Sequence, residues 1–264
     1  MHFFTATPES QREFNDQGYV LVRNLFSQNE SSLLSQYARC DQQISARATS
    51  RSDSQGGTTT LALSNDLEDN LYAAVVRSHR VANNMATLLG DEVYHYHHKM
   101  MLKEPFVGGA WEWHQDYGYW YDFGCLYPDM GSCFIAVDRA TRENGCLQVL
   151  PGSHHFGRMN HMKIGGQTGA DPERVEAALA RLPLEYVEMD PGDGLFFHGN
   201  LLHRSDQNTS PYPRWSLICC YNTRRNDPYK VSRHPNYSPL ALLPDEQFES
   251  LAAEYHKRLE IGTK

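Results

Sequence analysis

Six cysteines (Cys40, Cys125, Cys133, Cys146, Cys219 and Cys220) include no CxxC spacing, so reduced, mostly buried thiols are expected rather than a disulfide or redox framework. Cys219 and Cys220, neighbours on an expected strand, should point to opposite faces. No apolar run approaches the ~18 residues of a membrane span, which excludes a transmembrane helix. The start, Met1-His2-Phe3-Phe4-Thr5, lacks a basic segment followed by an apolar stretch, so a cytoplasmic protein is expected. Lysine and arginine form no block, and 24 of them against 32 Asp+Glu leave a net charge of −8. Phosphate binding needs clustered positive charge, so nucleic acid is not the expected partner.

What remains is an ordinary globular composition over 264 residues, with 13 histidines and 11% aromatic residues as the less ordinary numbers. One domain is expected, since folding a chain of this length buries roughly 75% of its surface without help from disulfides or metals.

The first 92 residues read as largely helical. Thr7 and Pro8 open a helix over 8–17 that Gly18 ends, Tyr19 to Val22 follow as a strand, and Ser27 begins a second helix. Residues 45–60 have loop composition, open to motion. The spacing of Leu67, Leu71, Ala74, Val75, Val81, Met85 and Leu88 predicts one helix over 66–90, stopped by Gly90. From Val93 to about 225 the pattern changes to short apolar runs broken by Gly, Pro, Asn and Asp: 93–102, 111–116, 132–138, 146–150, 185–189, 194–198 and 214–222. This predicts a β-rich sandwich or barrel. One surface helix over 171–181 and a last helix over 244–260 complete the reading.

Trp111-Glu112-Trp113-His114-Gln115-Asp116 sets an imidazole and a carboxylate two residues apart at an expected strand end, where a period of two aims both at one face. Alone, an HxD pair is a weak signal. Downstream, His198 and His203 are both candidates for a third metal ligand, and Arg214 opens an apolar strand eleven residues past the latter. Two histidines and one carboxylate make the facial triad of non-haem Fe(II) oxygenases, leaving three positions for a bidentate 2-oxo acid and O₂. The far carboxylate of such an acid calls for a planar guanidinium.

With these residues in view, the stretch from about Tyr94 to Asn222 resembles the phytanoyl-CoA dioxygenase family of Fe(II)- and 2-oxoglutarate-dependent oxygenases, and within it is similar to the ectoine hydroxylases. The resemblance implies a mainly β fold with flanking α-helices around a double-stranded β-helix (jelly-roll, cupin-like) core. It also implies iron on His114, Asp116 and His203, which favours His203 over His198. Arg214 and Ser205 match the family's 2-oxoglutarate residues. Glu143-Asn144-Gly145-Cys146-Leu147-Gln148-Val149-Leu150-Pro151-Gly152-Ser153-His154 matches a further family block, of which Pro151-Gly152-Ser153-His154 is read as a turn after a strand with a positioning role. Trp120 matches an active-site tryptophan, and its neighbours Tyr117 and Tyr119 are further candidates for contact with substrate. His97 and Lys99 replace a glutamine and an arginine of the ectoine hydroxylases near the cofactor.

Asp116 is intact where halogenating relatives carry a small residue, so hydroxylation with release of succinate and CO₂ is the expected outcome. The expected substrate is a small zwitterionic or anionic metabolite; Lys99, Lys103 and Arg158 offer charge to an anion, and a homodimer is compatible with the sequence. Two alternatives stand beside this reading: a cupin-like sensor that binds metal and 2-oxoglutarate without turnover, and an oxygenase acting on an acyl-CoA.

Overall fold

The computed structural model describes residues 3–262. Thr7 caps helix α1 (Pro8–Gln17) through a reciprocal pair with Ser10, and Gly18 closes it in the left-handed region at φ 85°. A side chain at Gly18 would also sit 2.5 Å from His154 Nδ1, so turn geometry and close approach both demand glycine. Strand β1 (Tyr19–Val22) follows, then helices α2 (Gln28–Cys40) and α3 (Gln42–Arg47). Residues 45–60, expected as a mobile loop, instead contribute most of a hairpin of β2 (Thr49–Ser52) and β3 (Thr58–Ser64). Threonine and serine there read as loop composition, but cross-strand pairing onto an existing sheet edge overrides that weak preference.

The single helix expected over 66–90 is two, α4 (Leu71–Arg77) and α5 (His79–Leu89). Ser78 between them is extended, at φ −64° and ψ 142°, and its hydroxyl bonds the Val75 carbonyl at 2.8 Å. Asn70, not a residue near 66, caps the first. The apolar spacing carries across the break because both helices bury the same face.

The remaining elements are β4 (Val93–Lys103), β5 (Trp111–His114), α6 (Asp116–Trp120), β6 (Met130–Ala136), β7 (Leu147–Val149), β8 (His161–Ile164), β9 (Gln167–Ala170), α7 (Pro172–Leu179), β10 (Glu185–Val187), β11 (Gly194–His198), β12 (His203–Ser205), β13 (Arg214–Thr223) and α8 (Phe248–Gly262). A seven-stranded sheet runs β1-β11-β6-β13-β4-β3-β2 and a four-stranded sheet β10-β7-β12-β5, antiparallel throughout, with β8-β9 as a separate hairpin that the sequence did not signal. This is a double-stranded β-helix of cupin type with helices outside. All three strands before Val93 belong to its large sheet.

The central strands are buried on both faces, and the period of two divides their side chains. Cys133, Ile135, Leu217, Cys219 and Tyr221 pack outward against the helices, whereas Phe134, Ala136, Ile218 and Cys220 face the interior between the sheets with Leu147, Val149 and Val187. Cys219 and Cys220 do point to opposite faces, and all six thiols are free. Under the helices, Arg80 is 2% exposed and bonds both Glu30 oxygens at 2.8 Å and Asp245 at 2.9 Å, tying α2 and α5 to the turn before α8. Among the described residues no helix is long and apolar enough to cross a membrane.

Candidate active site

Antiparallel pairing of β12 with β5 makes His203 and His114 direct partners, with ring centroids 4.1 Å apart. The strand expected over 111–116 stops at His114. Asp116 stands in the first turn of α6, so a change of direction, not strand alternation, brings it beside the histidines. Gln115 holds that corner. Fully buried, its side chain donates to the carbonyls of Gly157 and Asn200 and accepts from Met159 N–H, while its own N–H meets His161.

One ligand atom from each of His114, Asp116 and His203 lies within 4.8 Å of the others, and all three residues are buried. Each histidine spends Nδ1–H on a main-chain carbonyl, His114 on Glu112 at 2.7 Å and His203 on Leu201 at 2.9 Å. Both tautomers thus turn an Nε2 lone pair inward, the arrangement common to metal-bound histidines. The Trp111 indole N–H rests on the His114 lone pair at 3.1 Å. Burial holds both imidazoles below the usual histidine range, aided for His114 by His203 and opposed for His203 by Asp116; the neutral form is the one a metal needs. Ser132 Oγ donates to Asp116 Oδ2 at 3.0 Å, and Lys99 Nζ stands 4.0 Å from Oδ1. His198, the other candidate, sits on β11 with its ring against Phe14 and His154 and its Nδ1 accepting from Asn200 N–H; it lies outside this cluster.

Two cavities meet at the cluster. The inner one, about 40 Å³, includes Ser205, Arg214 and Lys99 in its wall. Arg214 is 2% exposed, donates to the Gly145 carbonyl at 2.8 Å and Ser216 Oγ at 3.2 Å, and leaves Nε without a partner. Burial lowers its pKa to about 10. Opposite it in register on β4 is Lys103, also buried, bonded to Ser205 Oγ at 3.0 Å and to the Asp206 carbonyl. Burial and Arg214 hold its ammonium well below the ordinary lysine range. Neither cation forms an ion pair among the described residues. A buried guanidinium with no carboxylate partner favours an anion in the cavity it walls. The sequence offered Lys103 only as charge for an anionic substrate. The missed signal is that His97, Lys99, Met101 and Lys103 alternate along one strand, and a lysine on a buried strand face is rare.

The outer cleft, about 490 Å³, is walled in part by His97, Lys99, Tyr119 and Trp120. Tyr119 and Trp120 follow Asp116 by three and four residues and share its side of α6. Tyr117, one residue on, turns about 100° away: its hydroxyl bonds the Cys125 carbonyl at 3.1 Å and its ring joins the interior core. Tyr117, expected to contact substrate, therefore lines neither cavity. His97, expected beside the cofactor, lines this outer cleft and not the inner cavity. A bulge sets its direction, because Cys220 pairs His97 while Tyr221 pairs His95, leaving Tyr96 unpaired. His234, from the coil after β13, also faces the cleft; nothing in the sequence around it marked it. The 143–154 block touches the site at two points. Gly145 gives Arg214 its carbonyl, and Ser153 Oγ accepts from Leu202 N–H at 2.9 Å, fixing the chain just before His203.

A jelly roll carrying two histidines and one carboxylate on one side of an open position, with a buried cation pair behind them, defines the class of non-haem oxygenases. The sequence profile of the phytanoyl-CoA dioxygenase family matches residues 14–216, and the chain belongs to that family. It is 32% identical over 186 residues to an L-proline trans-4-hydroxylase from Streptomyces griseoviridis, covering 63% of this chain and 68% of that one. It is 25% identical over 264 residues to an ectoine dioxygenase from Stutzerimonas stutzeri, covering 90% and 87%. Among solved structures, EctD from S. alaskensis with 2-oxoglutarate and 5-hydroxyectoine superposes with a TM-score of 0.76 at 23% identity, over 90% of this chain and 88% of that one.

Proposed function

We propose that the protein is an Fe(II)- and 2-oxoglutarate-dependent dioxygenase that hydroxylates a small polar metabolite and releases succinate and CO₂. The observation that carries this is the convergence of His114, Asp116 and His203, with both Nε2 lone pairs turned inward, next to an inner cavity walled by Arg214 and by Ser205, whose hydroxyl Lys103 holds from behind. The donor set fits iron(II): neutral imidazoles and one carboxylate on a single side leave room for further ligands. Iron bound there supplies coordination of the 2-oxo acid and activation of O₂.

The chain's own groups do the rest. Ser132 fixes the rotation of the Asp116 carboxylate, leaving Oδ1 toward the histidines. Arg214, Lys103 and the Ser205 hydroxyl bind the distal carboxylate of 2-oxoglutarate, whose charge relieves the two buried cations. Trp120, Tyr119 and His97 wall the outer cleft and hold the substrate's C–H bond against the metal side, where a misplacement of ~1 Å already costs about 10²-fold. A cleft of this volume suits a small metabolite rather than an acyl-CoA. Aerobic incubation with Fe(II) and 2-oxoglutarate tests the reading: succinate accumulates, and chelation or Asp116→Ala abolishes it. Tight 2-oxoglutarate binding with no decay, even with candidate substrates present, would leave a sensor instead.

A further inference from the structure

The outer cleft is cationic in a chain whose net charge is −8. Arg51, Lys99, Lys163 and Arg233 line it, against only Asp116 and the exposed Asp122. Arg51, Lys163 and Arg233 are exposed and carry little weight by themselves. The buried members are more telling. His97 is 3% exposed, its Nδ1 has no partner, and its other nitrogen forms no hydrogen bond among the described residues. His234 stacks on Tyr96 at 4.5 Å with its ring 5.2 Å from that of His97. Its Nδ1 is likewise unpartnered, while Nε2 accepts from Arg233 Nε at 3.4 Å. Lys99, two residues past His97 on β4, shares its strand face. Trp120 and Phe123 close the sides, edge-on to His97 and His234 respectively. Buried polar atoms without partners in a native site call for one.

We propose that His97, His234, Lys99 and Arg233 seat an oxyanion head group of the substrate, a carboxylate or a phosphonate. The substrate is therefore an anion, held through its head with its C–H bonds toward Asp116. This rests on the oxygenase reading for calling the ligand a substrate. Imidazole N–H groups donate to the oxygens, and Lys99 and Arg233 supply the charge; an ammonium head in the same place would meet cations on two sides. The seat is distinct from the 2-oxoglutarate site in three of its four residues: His97, His234 and Arg233 wall only the outer cleft and Arg214 only the inner cavity, while Lys99 borders both.

Calorimetry tests this on enzyme saturated with Fe(II) and 2-oxoglutarate under anaerobic conditions, titrated with ethylphosphonate, propionate and the neutral propionamide. Both anions are expected to bind about tenfold or more tighter than propionamide, with the preference shrinking as NaCl is added. Arg233→Gln and His234→Phe should each weaken the anions roughly fivefold or more and leave propionamide affinity where it was. Tighter binding of ethylphosphonate assigns a tetrahedral head and tighter binding of propionate a planar one; both sustain the seat. Equal affinity for all three probes, anion affinity indifferent to both substitutions, or displacement of 2-oxoglutarate by the probes would overturn it. The titration involves no turnover, so a failure of aerobic 2-oxoglutarate decay strikes the oxygenase reading and not this one.

Discussion

In Lys103→Met the ammonium is lost while the length and apolar stem of the side chain remain, so the packing on β4 changes little. What goes is the charge facing Arg214 across the β4–β13 register and the bonds to Ser205 and the Asp206 carbonyl. If the ammonium also donates to the 2-oxoglutarate carboxylate, its loss removes one charge-assisted hydrogen bond, about 1.5–3 kcal/mol. At about 1.4 kcal/mol per factor of ten, the dissociation constant for 2-oxoglutarate rises roughly 10- to 150-fold. Arg214→Met removes a two-pronged donor, about 3–6 kcal/mol by the same reckoning, or roughly 10²- to 10⁴-fold. Because both cations serve one carboxylate, the double variant should lose less than the sum of the two single losses. Anaerobic calorimetry of 2-oxoglutarate with the iron-loaded protein measures all four constants, and thermal melts confirm that each variant is folded. An unchanged constant in Lys103→Met would reduce that residue to a strut for the Ser205–Asp206 turn. Strict additivity in the double variant would mean that the two cations act on different groups.

Alanine at His114, Asp116 or His203 should abolish stoichiometric iron binding, measured by dialysis and metal analysis, while His198→Ala retains it; the reverse result would reassign the distal ligand. Trp120→Phe keeps most of the ring volume but withdraws part of the cleft wall, so the ratio of hydroxylated product to succinate should fall about tenfold or more. An unchanged ratio would make the indole scaffold only. Arg80→Met leaves Glu30 and Asp245 as uncompensated buried carboxylates and should cost about 3–5 kcal/mol in urea unfolding; a loss under ~1 kcal/mol would show that water reaches the pocket. Burial lowers the pKa of His95 and of His198 to about 3 each, below the unfolded value of 6.5. The unfolded chain therefore binds more protons below pH 6.5, and stability falls as pH drops from 6.5 toward 3, by about 1.4 kcal/mol per unit for each such histidine. Urea midpoints between pH 7 and 5 should show this slope, and His198→Gln should flatten it.

Local chemistry made much of the molecule legible. The Thr7-Pro8 start and Gly18 stop of α1, the strand that follows it and the apolar runs after Val93 are set by caps, turn residues and a period of two, all of which act within a few residues. The same holds for the two faces of Cys219 and Cys220. Where two tertiary outcomes shared one local pattern, the reading failed. Apolar spacing at three and four residues fits one long helix or two that bury a common face, and only the extended Ser78 separates them. A Ser/Thr-rich stretch is a loop unless a sheet edge lies within reach, and β4 provides one for residues 58–64.

The sequence by itself marked the candidate side chains: the HxD pair, the two later histidines, Arg214 eleven residues past the second, and the turn block around Pro151. Those are short-range spacings that survive any fold compatible with them. The family resemblance favoured His203, and tertiary structure is what brings it into the cluster and leaves His198 out, since the two are five residues apart but lie on different sheets. It also turned Tyr117 into the core, because Asp116 begins a helix and the period changes from two to 3.6 at that residue. And it set Lys103 against Arg214 and His234 against His97, partners separated by more than a hundred residues. Register across a sheet and the path of a coil follow from packing over the whole domain, and no window of sequence contains the groups that compete for them.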